Sequence, residues 1–224
     1  MKIFPNYIMN RYRSPAILVS LIAALLYGSF TNLASVREIP APQIHKVSAA
    51  TAVKKPIIID IVPYNDMPLE LTNYIYSEFT KIYSNAKLLA SIPLPHSAYY
   101  SVRNRYRGDS LIRQLSAHTP ANHVTLALTT KDISTTKGKF ADWGIMGLSY
   151  CPGNACVASI FRLKNNKEQF FKIAIHELGH TQGLCHCHVK TCFMRDAEGK
   201  NTTGEEKELC LKCKKILIKA GWML

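Results

Sequence analysis

Acidic side chains are scarce in this chain. Fifteen Asp and Glu stand against 28 Lys and Arg, a formal charge of +13. Residues 1–37 contain no acid at all, and setting them aside still leaves 24 basic against 15 acidic residues. A surface this basic favours acidic partners, such as anionic lipid, nucleic acid or acidic peptides, without choosing among them. An internal repeat is also lacking, which excludes a solenoid or propeller. What is left is a chain of 224 residues, 47% of them apolar. That suffices for one sizeable domain with a real core plus extra segments.

Charge is missing altogether from residues 14–36, SPAILVSLIAALLYGSFTNLASV, which follow Lys2, Arg11 and Arg13. The densest apolar run, Ala16 to Tyr27, suits the core of a signal peptide. The uncharged stretch is also long enough to cross a bilayer once, with its basic end inside. Two further absences narrow the choice. No good small-x-small cleavage site follows, and no cysteine follows the run, which argues against lipoprotein processing. Residues 1–37 therefore read as a signal peptide or membrane anchor. The expected location of the rest is outside the cytoplasm, exported or membrane-anchored. A cytoplasmic protein, with this run as a buried core helix, is the alternative. Residues 38–55, EIPAPQIHKVSAATAVKK, lack periodicity and read as a linker. The folded domain is expected over residues 56–224.

Within that domain, the β-branched run Ile57–Val62 predicts a buried strand. Leu69, Ile75, Phe79 and Ile82 recur at helical spacing over residues 66–83, with Asp66 or Asn65 available as a cap. KLLASIPLP suggests a strand, GDSLIRQLSAH a short helix and HVTLALT another strand. DWGIMGLSY and CVASIFRL are further strand candidates, joined by the turn CPGNA. Alternating strands and helices argue for a mixed sheet with helices packed on it. A last long helix begins near Asn165.

That helix carries HELGHTQGLCHCHVKTCFM, residues 176–194. Four residues separate His176 from His180, so both imidazoles project from one helix face and reach one tetrahedral metal. Glu177 is rotated about 100° from His176, the usual place of a general base rather than a ligand. Phe170, Ala174, Leu178 and Thr181 fall on the opposite side, which can pack on a sheet. Gly183 supplies the left-handed conformation that ends the helix. The chain then returns His186 as a third ligand, completing H-E-x-x-H-x-x-G-x-x-H. Five fixed positions arise by chance in such a chain on the order of once in ten thousand.

Three neutral imidazoles leave a fourth zinc position to water, the mark of a catalytic site, and lower that water's pKa to about 7. Glu177 is then expected to take the proton and pass it to a leaving amine, in peptide hydrolysis. The remaining thiols need another role. Cys187 with Cys192, and Cys210 with Cys213, are the two pairs that a closed four-thiolate zinc requires. Two Zn²⁺ per chain are expected, one for chemistry and one for structure. Separate buried or disulfide-bonded cysteines are the alternative. Cys185 is left over as a packed thiol, His188 is a competing ligand, and Cys151 and Cys156 read either as a disulfide loop or as buried thiols.

The residues HELGHTQGLCHC, Cys192, Met194, Cys210 and Cys213 together resemble the archaemetzincin family of zinc metallopeptidases, within the metzincin clan. TKDIS, WGIMGLSY and VASIFRL also resemble that family, and the likeness spans roughly residues 57–224. Fifteen residues separate Met194 from Cys210, about two fewer than in the family pattern. The resemblance implies an α+β, zincin-like fold: a mixed twisted sheet, an active-site helix and a small zinc-stabilised C-terminal subdomain. The N-terminal subdomain would be residues 56–183 and the C-terminal one residues 184–224. Met194 would be an apolar floor beneath the histidines. Arg195 and Asp196 stand where many metzincins have a tyrosine. Analogy with the clan makes Val157–Leu163 the sheet edge lining the cleft. The expected partner is a peptide or protein substrate, with possible membrane association through the N-terminal segment and no nucleic acid. A non-catalytic zinc-binding module contacting nucleic acid or anionic membrane, through the basic stretch KCKKILIK, is the alternative. Glu177 speaks against it, because binding alone needs no general base.

Overall fold

The computed structural model describes residues 56–197, 199–222 and 224. The expected signal or anchor segment and the whole of the linker lie outside them. Among the described residues no helix is long and apolar enough to cross a membrane.

The β-branched run after Pro56 becomes strand β1 (Ile58–Pro63), followed by helix α1 (Leu69–Ile82) and strand β2 (Ala86–Leu88). Two short strands come next, β3 (Tyr99–Tyr100) and β4 (Arg105–Arg107), then helix α2 (Gly108–His118) and strand β5 (His123–Thr129). Strands β6 (Ile133–Lys137), β7 (Phe140–Ile145), β8 (Gly147–Ser149) and β9 (Ala155–Ser159) lead into helix α3 (Lys167–Thr181). Helix α4 (Leu211–Lys219) closes the sequence of elements. The five-stranded sheet has the order β2-β1-β5-β9-β8, parallel except for the β8–β9 pair. A four-stranded sheet, β3-β4-β6-β7, stands beside it.

Alternation along β1 divides the interior. Ile59 and Ile61 face α1 and α3, where they meet Ile75, Phe79, Phe170, Ala174 and Leu178. Tyr64, Ala127 and Val157 belong to the opposite side of the sheet, against Leu111, Ile112 and Leu115 of α2. The larger core does not stop where α3 ends. Leu184, Met194, Leu209, Leu217 and Trp222 continue it, and Trp222 lies 4.9 Å from the Tyr83 ring. The last forty residues therefore borrow their apolar interior from the rest of the domain.

Several sequence expectations are corrected. Neither Asp66 nor Asn65 caps α1; Pro68 occupies that position without a side-chain bond. Asp66 Oδ2 instead accepts from Thr129 Oγ1 and Thr130 Oγ1 at 2.8 and 2.7 Å, tying the start of α1 to the end of β5. Of KLLASIPLP only Lys87 and Leu88 belong to β2. DWGIMGLSY breaks at Met146, because β7 pairs with β6 while β8 pairs with β9. The strand in CVASIFRL ends at Ser159, and Phe161–Leu163 is a 3-10 turn. Strand β9 lies between β5 and β8, so the sheet edge is β8 and not Val157–Leu163.

Asn166 opens α3 by accepting the amide of Gln169 at 3.0 Å. Phe170, Ala174 and Leu178 are fully buried on one side of this helix. Phe170→Ala should lower unfolding stability by about 3–5 kcal/mol, the usual cost of emptying a buried phenylalanine site. Urea denaturation of the two proteins measures this.

Candidate active site

Helix α3 cannot bury all of itself, because His176, Glu177 and His180 interrupt its apolar face. The helix solves this by turning the histidines toward the segment that follows it. Gly183 adopts φ +85°, and its amide bonds the carbonyl of His180 at 2.8 Å. Leu184 then bonds the carbonyl of Gly179 at 3.1 Å, and the chain reverses. The reversal brings His186 alongside the two helical histidines, with ring centroids 5.3 Å from His176 and 4.9 Å from His180.

Main-chain carbonyls set the direction of two of these rings. His176 Nδ1 lies 2.7 Å from the Phe193 carbonyl, and His180 Nδ1 lies 2.7 Å from the Leu184 carbonyl. A carbonyl oxygen only accepts, so each Nδ1 carries the proton and each Nε2 presents a lone pair. The two Nε2 atoms are 3.0 Å apart. Two facing lone pairs at that distance repel unless a cation lies between them, and one nitrogen from each of the three histidines fits within a span of 4.8 Å. Burial holds all three imidazoles below the ordinary histidine range, in the neutral form that metals bind. The donor set fits a metal ion. His186 Nδ1 is 3.3 Å from Asp196 Oδ2, a carboxylate partner that orients the third ring.

Glu177 is buried behind the histidines. Its Oε2 accepts from Ser149 Oγ at 2.7 Å, on the edge strand β8. Burial raises the carboxyl pKa above the usual range, while His180 and Ser149 pull the other way. Gly147 makes this placement possible, since a Cβ there would stand 2.5 Å from Glu177 Oε1. Gly179 serves Met194 in the same manner: its missing side chain lets the Met194 sulfur rest on the helix backbone. The cavity in front of these groups has a volume of about 420 Å³ and is lined by His176, Glu177, His186 and residues 144–147.

The second group of ligand types also assembles. Cys187 and Cys210 place their sulfurs 3.8 Å apart, and Cys192 and Cys213 theirs 3.7 Å apart. Four thiolates around one zinc at about 2.3 Å have sulfur–sulfur edges of roughly 3.8 Å. The donor set therefore fits a closed tetrahedral site. Cys210 stands at the start of α4. Its partial burial opposes ionisation, but the Cys213 amide and the neighbouring thiols outweigh this and bring Cys210 down to about 7. The two clusters share one piece of chain. The Cys187 amide bonds the Met194 carbonyl at 2.7 Å, and the Phe193 amide bonds that of Glu208 at 2.9 Å.

Other sulfurs stand apart. Cys185 is exposed rather than packed, and His188 is exposed and belongs to neither group. Cys156 is a buried free thiol, whereas Cys151 is exposed with its sulfur 3.7 Å from the Leu184 carbonyl. Sequence reasoning missed Gly147, Ser149 and the orienting role of Asp196. A glycine beside a strand interior, signalling close approach, was the available clue to the first.

The profile of peptidase family M54 matches residues 70–219. The chain is 28% identical over 176 residues to the archaemetzincin of Halobacterium salinarum, covering 71% of this chain and 99% of that protein. Identity with the archaemetzincin of Methanopyrus kandleri is 29% over 130 residues, covering 55% of this chain and 72% of that one. Among solved structures, the archaemetzincin of Archaeoglobus fulgidus complexed with malonate matches with a TM-score of 0.60 at 26% identity, covering 71% and 99% of the two chains. The M. kandleri crystal structure matches with a TM-score of 0.64, covering 76% and 98%, and at 23% identity that likeness concerns the fold. Carried by a profile match over most of its length, the chain belongs to peptidase family M54 and is a zinc metallopeptidase.

Proposed function

We propose that this enzyme hydrolyses peptide bonds at a zinc held by His176, His180 and His186, with Glu177 as general base. A second zinc, held by Cys187, Cys192, Cys210 and Cys213, would be structural, giving two per chain. One observation carries the reading: three neutral imidazoles converge beside a buried carboxylate at the wall of an open cavity.

Zinc, when bound, supplies Lewis acidity toward a water and toward the scissile carbonyl. The protein's own groups do the rest. Ser149 Oγ–H holds Glu177 Oε2, which leaves Oε1 beside Gly147 as the proton acceptor. Burial makes this carboxylate more basic than an exposed one, so it takes a proton from water readily near neutrality. The same oxygen then hands that proton to the departing amine nitrogen. Strand β8 has a free edge beside the cavity, which supports docking of an extended peptide by main-chain hydrogen bonds. Export or membrane anchoring is supported by the uncharged run of residues 14–36 alone.

Glu177→Ala should reduce peptide hydrolysis by at least about 10²-fold, while zinc measured by atomic emission stays at the parent value. Cleavage at the parent rate would show that Glu177 is not the base. Ser149→Ala removes a bond that favours the ionised carboxylate, so the acid limb of the kcat/KM profile should move to higher pH. An unmoved or lowered limb would contradict this pairing. Cys213→Ser should lose one of two zinc ions. Its Tm should fall by roughly 10 °C, since several kcal/mol at about 2–4 °C each are removed. Differential scanning fluorimetry with metal analysis reads both.

A further inference from the structure

The cavity in front of the histidines is also lined by Ile173 of α3 and by the segment containing Thr202, Thr203 and Glu206. Glu206 is 4% exposed, yet it lines this space. Its Oε1 accepts from Thr202 Oγ1 at 3.0 Å. Among the described residues no Lys, Arg or His nitrogen comes within 4.0 Å of its carboxylate. Lys172 and Arg195 act on Glu206 from further off, and each has a direct partner of its own. Lys172 Nζ donates to the Thr203 carbonyl at 2.9 Å and pairs with Glu168 at 2.8 Å. Arg195 pairs with Glu205 at 2.8 Å, and Arg162 grips Asp132 through two bonds of 2.8 and 2.9 Å.

A buried carboxylate without a direct ion pair is costly, and burial drives the Glu206 pKa upward although Thr202, Lys172 and Arg195 pull the other way. Such a group is retained where an arriving cation completes it. Ile173 offers an apolar wall for an aliphatic stem, and the Glu206 carboxylate lines the same cavity for a charged head. Resting on the peptidase reading above, we infer that this pocket selects a basic side chain, lysine or arginine, at one of the two residues flanking the scissile bond. Glu206 is the specificity-determining residue. Of the basic residues that line the cavity, Arg162 and Arg195 are held by Asp132 and Glu205 and Lys137 lies over the Trp143 ring; Lys200 lines it as well.

The test uses the zinc-loaded full chain and a peptide library whose cleavage products are sequenced. Lysine and arginine should be enriched on one side of the cut. In Glu206→Gln the ratio of kcat/KM for a lysine peptide to that for its norleucine analogue should fall at least tenfold, with zinc content and Tm near parental values. Binding of n-butylguanidine, measured by calorimetry, gives a readout independent of turnover. It should occur in the parent and in Glu177→Ala, and weaken at least tenfold in Glu206→Gln. Cleavage without basic enrichment, or an unchanged ratio in Glu206→Gln, overturns the pocket assignment and leaves the peptidase reading intact. Glu206-dependent butylguanidine binding in a parent that cleaves no peptide keeps the pocket and overturns the peptidase reading. Absence of both binding and cleavage overturns the two together.

Discussion

Two main-chain carbonyls, those of Phe193 and Leu184, decide which nitrogen of His176 and of His180 carries a hydrogen. Everything at the centre of this molecule follows from that choice. With Nδ1 committed, the Nε2 lone pairs face each other and demand a cation. The carbonyls come from the segment after the helix, so the metal-binding geometry is a property of the reversal at Gly183 as much as of the helix. A helix with the same two histidines and a different exit would leave the rings free to rotate.

The buried carboxylate is governed from the other direction. Glu177 leans on the sheet edge, where Gly147 gives it space and Ser149 gives it a hydrogen bond. The sheet therefore holds the Glu177 carboxylate while the reversed segment orients the imidazoles. The helix between them is fixed by its apolar side, through Phe170, Ala174 and Leu178. The same division explains why Met194 sits on Gly179. An apolar floor that touches backbone leaves no slack beneath the ligands.

The parts of this arrangement that were legible in the sequence are those governed by local rules. Helix α2 and strand β5 match their predicted spans residue for residue, because each has strong periodicity and a clear boundary. The two ligand clusters were readable from spacing, since i, i+4 geometry and C-x-x-C pairing are nearly independent of the fold. Of the second sheet only part of β7 was readable, within DWGIMGLSY. Its strands β3 and β4 are two and three residues long, and Arg105, Tyr106 and Arg107 carry no apolar alternation. They are held by cross-chain pairs, such as Arg105 with Asp132 at 3.0 Å, that no local pattern encodes. For the same reason Ser149, Asp196 and Glu206 looked like ordinary polar residues. Their meaning comes from what lies opposite them, tens of residues away in sequence.

Cys187 meets Cys210 across twenty-three positions, and Cys192 meets Cys213 across twenty-one. During synthesis on the ribosome, all three imidazoles are therefore made well before the thiols that complete the segment carrying His186. Until helix α4 emerges, neither pair of sulfurs is complete.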